Sequence, residues 1–220
     1  MTSEGQRKTS ETYLHPDFVA KFAGRGKPEG EIVRLARDFA ARLPGRRLID
    51  VGCGPGHHAR VFAEWGYEVV GIDASAAMIE VARAGVRSEP APTFRVAPMQ
   101  RVGQLFPENA FDGAWISASL LHVPEEETPG VLAGVHRIVV AGGAVFVSLK
   151  QGAQGARVVP VEANYDLPLE REFTFWDEPR FRRLVEEMGF VVEHFHTSVY
   201  GTTGGAPTRW LVYVLRVVTT

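Results

Sequence analysis

Between residues 31 and 150, short apolar runs alternate with longer stretches whose apolar positions recur at helical spacing. The runs at 48–51, 68–72, 94–97, 111–117 and 143–149 are dominated by Val, Ile, Phe and Ala and have the length of buried strands. Between them, Ile32, Leu35, Ala36, Phe39, Ala40 and Leu43 form one helical stripe that Pro44-Gly45 stops. Ala59, Val61, Phe62 and Trp65 predict a second helix over 57–65, with Gly66 suited to its C-cap. Ser75 is placed to cap a third, in which Met78, Ile79 and Ala82 face inward until Gly85. A fourth is expected over 125–140. Strands and helices alternating at this spacing predict parallel pairing through right-handed crossovers.

After Lys150 the rhythm changes. Residues 151–176 are expected to be a long loop, glycine-rich at its start and aromatic at its end. A helix over 179–188 then leads to β runs at 191–199 and 209–218 with TTGGAP between them, which read as an antiparallel hairpin. The fold class is therefore α/β: a doubly wound, mostly parallel seven-stranded sheet, helices on both faces, and a C-terminal antiparallel β-hairpin. Residues 1–12 are polar and expected to fray, 13–22 to form a short helix or lid, and GRGKPEG at 24–30 a linker.

Composition narrows the class. A chain of 220 residues suits one α/β domain, divided into a flexible segment or lid at 1–28, a ligand-binding core at 29–150 and a substrate-side region at 151–220. With 45% hydrophobic residues, 23% charged residues and a formal net charge of −2, nothing favours a polyanion, and nucleic acid is not an expected partner. No apolar run approaches the ~20 residues that span a bilayer, so no membrane association is expected. Cys53 is the single cysteine, and the N-terminus lacks the apolar stretch of a signal peptide; a cytoplasmic location is expected. No metal is expected.

The candidate chemistry gathers at the first strand. Leu48-Ile49-Asp50-Val51 runs straight into Gly52-Cys53-Gly54-Pro55-Gly56, a strand feeding a glycine turn, and such a turn lets a ligand lie against bare backbone at a helix N-terminus. A dinucleotide fingerprint wants its third glycine where this chain has His57, which disfavours a nicotinamide oxidoreductase. The pattern D-x-G-x-G-x-G, followed by YEVVGID ending in Asp73, FDGAWISASLLHVP and HRIVVAGGAVFVSL, resembles the class I S-adenosylmethionine-dependent methyltransferases from about Arg46 to Lys150.

That resemblance implies an S-adenosyl-L-methionine cofactor, with S-adenosyl-L-homocysteine as product and a small-molecule acceptor. Asp50, Gly52, Cys53, Gly54, Gly56 and His57 would form its loop, Asp73 would meet the ribose hydroxyls, and Ala74, Met78 and Ser117 would flank it. Relatives often carry an aspartate for the adenine amino group after the third strand. This chain has VAPMQRV there, leaving Met99 to pack on the ring and Gln100 to offer an amide. His122, after the fourth strand, is the candidate catalytic base. Tyr13, Tyr165, Phe173, Phe175 and Trp176 are candidates to close over the acceptor. Cys53 is expected to be inert, His58 to begin a helix, and His194 and His196 to share one face of a late strand. A second reading is a non-catalytic cofactor-binding regulator or scaffold with the same fold.

Overall fold

The computed structural model describes residues 3–87, 89–152, 155–160, 167–203 and 205–218. Its main sheet has seven strands in the order β3-β2-β1-β4-β5-β9-β8. They are β1 (Arg47–Val51), β2 (Glu68–Asp73), β3 (Thr93–Val96), β4 (Phe111–Ser117), β5 (Val139–Lys150), β8 (Phe190–Thr203) and β9 (Ala206–Val217). Pairings among β1 to β5 are parallel, whereas β9 runs antiparallel to both β5 and β8. The chain order reverses at β1, where β2 departs to one side and β4 to the other. That is the switch point at which open α/β sheets leave a crevice beyond the strand ends.

Strand alternation sorts the core into two layers. Helices α3 (Glu31–Ala40), α4 (His57–Glu64) and α5 (Ala76–Ala84) bury Phe39, Phe62 and Ile79 against the face that carries Trp115 and Phe146. Helices α6 (Val102–Leu105), α7 (Thr128–Ile138) and α8 (Glu178–Glu187) cover the face that carries Ala114, Ile116, Val145, Val147 and Leu149. Period-2 side-chain alternation makes this division inevitable once both faces are covered.

Two expectations are corrected. Residues 4–12, within the segment expected to fray, instead belong to helix α1 (Glu4–Leu14), started by a capping box between Ser3 and Gln6 and followed by α2 (Pro16–Ala23). The stretch 151–176 is not one loop. It contains β6 (Gly155–Pro160) and β7 (Glu170–Phe175), a two-stranded antiparallel sheet. The two corrections share a cause, because α1 lies along the edge of β7. Thr9 Oγ1 accepts from the Glu172 amide at 2.7 Å, and Thr12 Oγ1 donates to the Glu170 carbonyl at 2.6 Å. A polar helix and an unpaired strand edge thus satisfy one another. The late strands also run longer than expected, so that β8 and β9 nearly meet at Gly205. Among the described residues, no helix is long and apolar enough to cross a membrane.

Candidate functional site

The carboxyl ends of β1, β2, β4 and β5 open into one cavity of about 1620 Å³. At its floor the turn after β1 places Gly52, Gly54 and Gly56 at φ of 75°, 52° and 76°, a left-handed region that side chains resist. The Gly52 and Cys53 amides both donate to the Ile72 carbonyl, at 2.8 and 2.9 Å. The Gly54 amide donates to Asp73 Oδ2 at 2.9 Å, and Asp73 Oδ1 accepts from the Ser75 amide at 2.8 Å. One carboxylate therefore clamps the glycine turn to the end of β2 and to the start of α5. Burial pushes the Asp73 carboxyl upward, and these two amides oppose the shift.

The three glycines do different things. A Cβ on Gly56 would crowd Phe94 and Ala82, and one on Gly52 would run into Ser119, so both are needed for packing. Among the described residues, a Cβ on Gly54 would meet only Phe22, at 3.6 Å, across the cavity. Of the sequence candidates, Gly52, Cys53, Gly54, His57, Asp73, Ala74, Met99, Gln100, Ser117 and His122 line the cavity. Three do not. Gly56 sits behind the turn, Met78 is buried with Phe18 and Val19, and Asp50 lies beneath the loop.

Comparison with known proteins agrees with this geometry. A family model described as "Methyltransferase domain" matches residues 49–147, from β1 into β5. A ubiquinone biosynthesis O-methyltransferase of Alkalilimnicola ehrlichii is 32% identical over 180 residues, covering 73% of this chain and 70% of the relative. The chain belongs to the class I S-adenosylmethionine-dependent methyltransferases. A second ubiquinone biosynthesis O-methyltransferase, from Hahella chejuensis, is 36% identical over 126 residues, 56% of this chain and 52% of the relative. The chain thus spans between half and about 70% of the length of these two relatives. Among solved structures, a SAM-dependent methyltransferase from Methanosarcina mazei superposes with a TM-score of 0.72 at 18% identity, over 87% of this chain and 99% of that one.

The methyltransferase cavity suits its family's cofactor on two counts: the Gly54 backbone faces it uncovered, and Met99 Cε reaches over Gly52, where a Cβ would stand 3.2 Å from it. Gln100 Nε2 donates to Glu127 Oε2 at 2.8 Å, and both residues line the cavity. Asp50 serves the loop from below. Its carboxyl accepts from the Ala59 amide in the first turn of α4, while buried Oδ2 has no hydrogen-bond partner among the described residues. Burial first, and the Asp73 charge second, raise it to about 8.

An acid raised in the folded state binds its proton more tightly there, so its stabilisation is complete below the unfolded value of 3.8 and is lost as pH rises towards 8. Asp73 acts in the same direction. Asp50→Asn keeps a neutral acceptor for Ala59 and is expected to flatten the fall in stability between pH 5 and 9, by on the order of a few kcal/mol at the alkaline end. Urea unfolding across that range reads it; parallel wild-type and variant curves would refute the assignment.

Beyond the glycine turn, segments distant in the sequence wall the cavity. Tyr13, from α1, reaches His122 Nε2 with its hydroxyl at 3.0 Å, and His122 Nδ1 donates to the Glu172 carbonyl at 3.1 Å. Because a carbonyl only accepts, Nδ1 carries the proton and Nε2 accepts from Tyr13. Burial, and then the Arg171 charge, lower the imidazole to about 3. Ala118 stands at φ 52°, held by its amide on Ser148 Oγ at 2.9 Å, and Ser119 Oγ donates to the Val51 carbonyl at 2.6 Å. The turn after β4 is thereby fastened to both neighbouring strands.

Phe173 lines the cavity, whereas Phe175 and Trp176 belong to the core beside Phe181. Tyr165 lies outside the described residues. The buried Cys53 thiol is pushed well up by burial and the neighbouring carboxylates, which suits an inert role. His58 packs on Trp115 and is lowered to about 4 by burial. His194 and His196 stand 5.4 Å apart on β8. Lys150 and Arg171 also line the cavity, and sequence reading missed both. Alternation along β7 would have exposed Arg171 had a strand been expected there.

Proposed function

We propose that this chain transfers the methyl group of S-adenosyl-L-methionine to a small-molecule acceptor. The observation that carries the reading is the glycine turn clamped by Asp73 at the strand-order reversal, with a cavity continuing beyond it under β4, β5 and α1. Gly52, Cys53, Gly54 and His57 would hold the amino acid portion, Asp73 the ribose hydroxyls, and Ala74, Met99 and Gln100 the adenine. Glu127, brought in by its bond to Gln100, supplies the carboxylate that relatives place after β3. Asp50 and Gly56 support the loop, and Met78 the floor, without touching the ligand.

When bound, the cofactor supplies a methyl group activated by the adjacent sulfonium charge. What remains for the protein is alignment and exclusion of water. The Ala118-Ser119 turn and Ser117 form a fixed wall, and α1 with the β6-β7 sheet covers the acceptor side. His122 is held neutral with its lone pair engaged by Tyr13, so it positions that hydroxyl rather than accepting the substrate's proton. Two named relatives act in ubiquinone biosynthesis as O-methyltransferases, which favours transfer to oxygen. The division into segments 1–28, 29–150 and 151–220 of one domain, and a cytoplasmic location, belong to the same reading.

Calorimetry with S-adenosyl-L-homocysteine tests the cofactor half. Asp73→Ala is expected to weaken binding by about 1–3 kcal/mol, the scale of hydrogen bonds to a charged group; undiminished affinity would remove Asp73 from the site. Incubation with labelled methyl donor and a metabolite extract tests the other half, since a scaffold would label nothing.

A further inference from the structure

On the acceptor side of the cavity, α1, the turn after β4 and β7 meet in one hydrogen-bonded chain. It begins at the backbone carbonyl of Glu172, to which His122 Nδ1 donates at 3.1 Å, and it ends at the Tyr13 hydroxyl, which donates to His122 Nε2 at 3.0 Å. A carbonyl can only accept, so both protons in the chain point the same way. Turning His122 to its other tautomer would set a lone pair against the Glu172 carbonyl. Charging the ring instead is opposed by burial first and by Arg171 second. The single proton of the Tyr13 hydroxyl is therefore committed to His122.

What the hydroxyl still offers is its oxygen. Arg171 Nη1 reaches that oxygen at 3.4 Å, long for a hydrogen bond, so a closer donor has room to approach. Tyr13 and His122 both line the cavity. The tyrosine is itself fixed: Ser75 Oγ donates to its backbone carbonyl at 2.7 Å, and its ring meets Phe18 and Phe22 edge-on with centroids 5.2 and 6.2 Å away. The Ser75 amide in turn donates to Asp73 Oδ1 at 2.8 Å, which ties the tyrosine to the carboxylate beneath the glycine turn. A rigid oxygen that can accept and cannot donate selects its ligand. A group carrying a hydrogen gains a bond there, whereas one offering only lone pairs is repelled.

We propose, resting on the methyl-transfer reading above, that Tyr13 determines specificity for the methyl acceptor by accepting the hydrogen of its nucleophilic group, so that the acceptor enters as a neutral hydroxyl or amine. A hydrogen bond drawn from the nucleophile's own O–H or N–H fixes the direction of that atom's remaining lone pair, which is the alignment that methyl transfer needs.

The test titrates phenol, fluorobenzene and benzaldehyde into the full chain saturated with S-adenosyl-L-homocysteine and reads each Kd by protein-detected NMR. All three are small aromatic rings suited to a cavity lined by Phe146, Phe173 and Trp210. They differ in polar group: phenol donates, benzaldehyde only accepts, and fluorobenzene does little of either. In Tyr13→Phe, the ratio of phenol to fluorobenzene affinity is expected to fall about fivefold while benzaldehyde keeps its ratio. That variant retains the ring contacts with Phe18 and Phe22 and the Ser75 bond to the backbone. His122→Phe removes the group that takes the tyrosine proton. The hydroxyl can then turn that proton towards a ligand, and benzaldehyde is expected to gain about fivefold over fluorobenzene. Should His122→Phe fail to fold, the Tyr13→Phe titrations decide alone.

An unchanged phenol ratio in Tyr13→Phe overturns the proposal, and so does a benzaldehyde ratio that falls there instead, because Tyr13 would then be donating to the ligand. No gain for benzaldehyde in a folded His122→Phe overturns it as well, since His122 would not be what holds the tyrosine proton. Failure of S-adenosyl-L-homocysteine to bind would instead sink the cofactor reading, and the same titrations on the free protein still decide the role of Tyr13.

Discussion

Gly56→Ala is expected to destabilise the fold by about 2–5 kcal/mol, while Gly54→Ala spares most of the stability and strikes ligand binding. At Gly56, φ is 76°, and an added Cβ would stand 2.7 Å from Phe94 Cζ and 3.1 Å from Ala82 Cβ. Left-handed backbone costs an alanine roughly 1–2 kcal/mol, and overpacking a filled core adds about 1–3 kcal/mol. At Gly54 the backbone penalty is similar, but the methyl would project into the cavity towards Phe22. Chemical denaturation of both variants, paired with S-adenosyl-L-homocysteine calorimetry, separates the two effects. A Gly56→Ala protein of wild-type stability that no longer binds would show that Gly56 faces the ligand, contrary to the packing described above.

The second large effect is expected at Trp115, in the middle of β4. Its side chain is fully buried, stacked on Phe146 with ring centroids 3.8 Å apart, and edged by Phe62 at 5.3 Å. Trp115→Ala is expected to lose about 3–5 kcal/mol through the cavity left behind. Trp115→Phe should be far milder, because the buried indole Nε1 has no hydrogen-bond partner among the described residues and its removal relieves an unmet donor. Phe146 also lines the ligand cavity, so the alanine variant should raise the acceptor KM in addition to lowering the unfolding midpoint. Thermal and urea unfolding of the two variants is the measurement. Equal losses for Ala and Phe would mean that the indole nitrogen, not ring volume, holds this site together.

What the sequence determined by itself was local or periodic. Leu48 to Val51 entering a glycine turn, the alternation through β4 and β5, Ser75 as a cap and the β8-β9 hairpin all follow from residues close along the chain, where backbone preference and side-chain period act directly. The carboxylate at Asp73 was legible because it closes a strand of the same βα series. The tertiary structure alone decided matters that depend on distant partners. Residues 4–12 look frayed until the edge of β7, more than 150 residues away, supplies partners for Thr9 and Thr12. Three similar glycines divide into two packing positions and one open one only when Phe94, Ser119 and the cavity are in place. The partners of His122, the Tyr13 hydroxyl on Nε2 and the Glu172 carbonyl on Nδ1, come from α1 and β7 and cannot be read from the residues around it. Lys150 and Arg171 become one wall because separate sheets meet over Phe173. Hydrophobic period reports which face a residue takes, but charge, protonation and access depend on what topology sets opposite it.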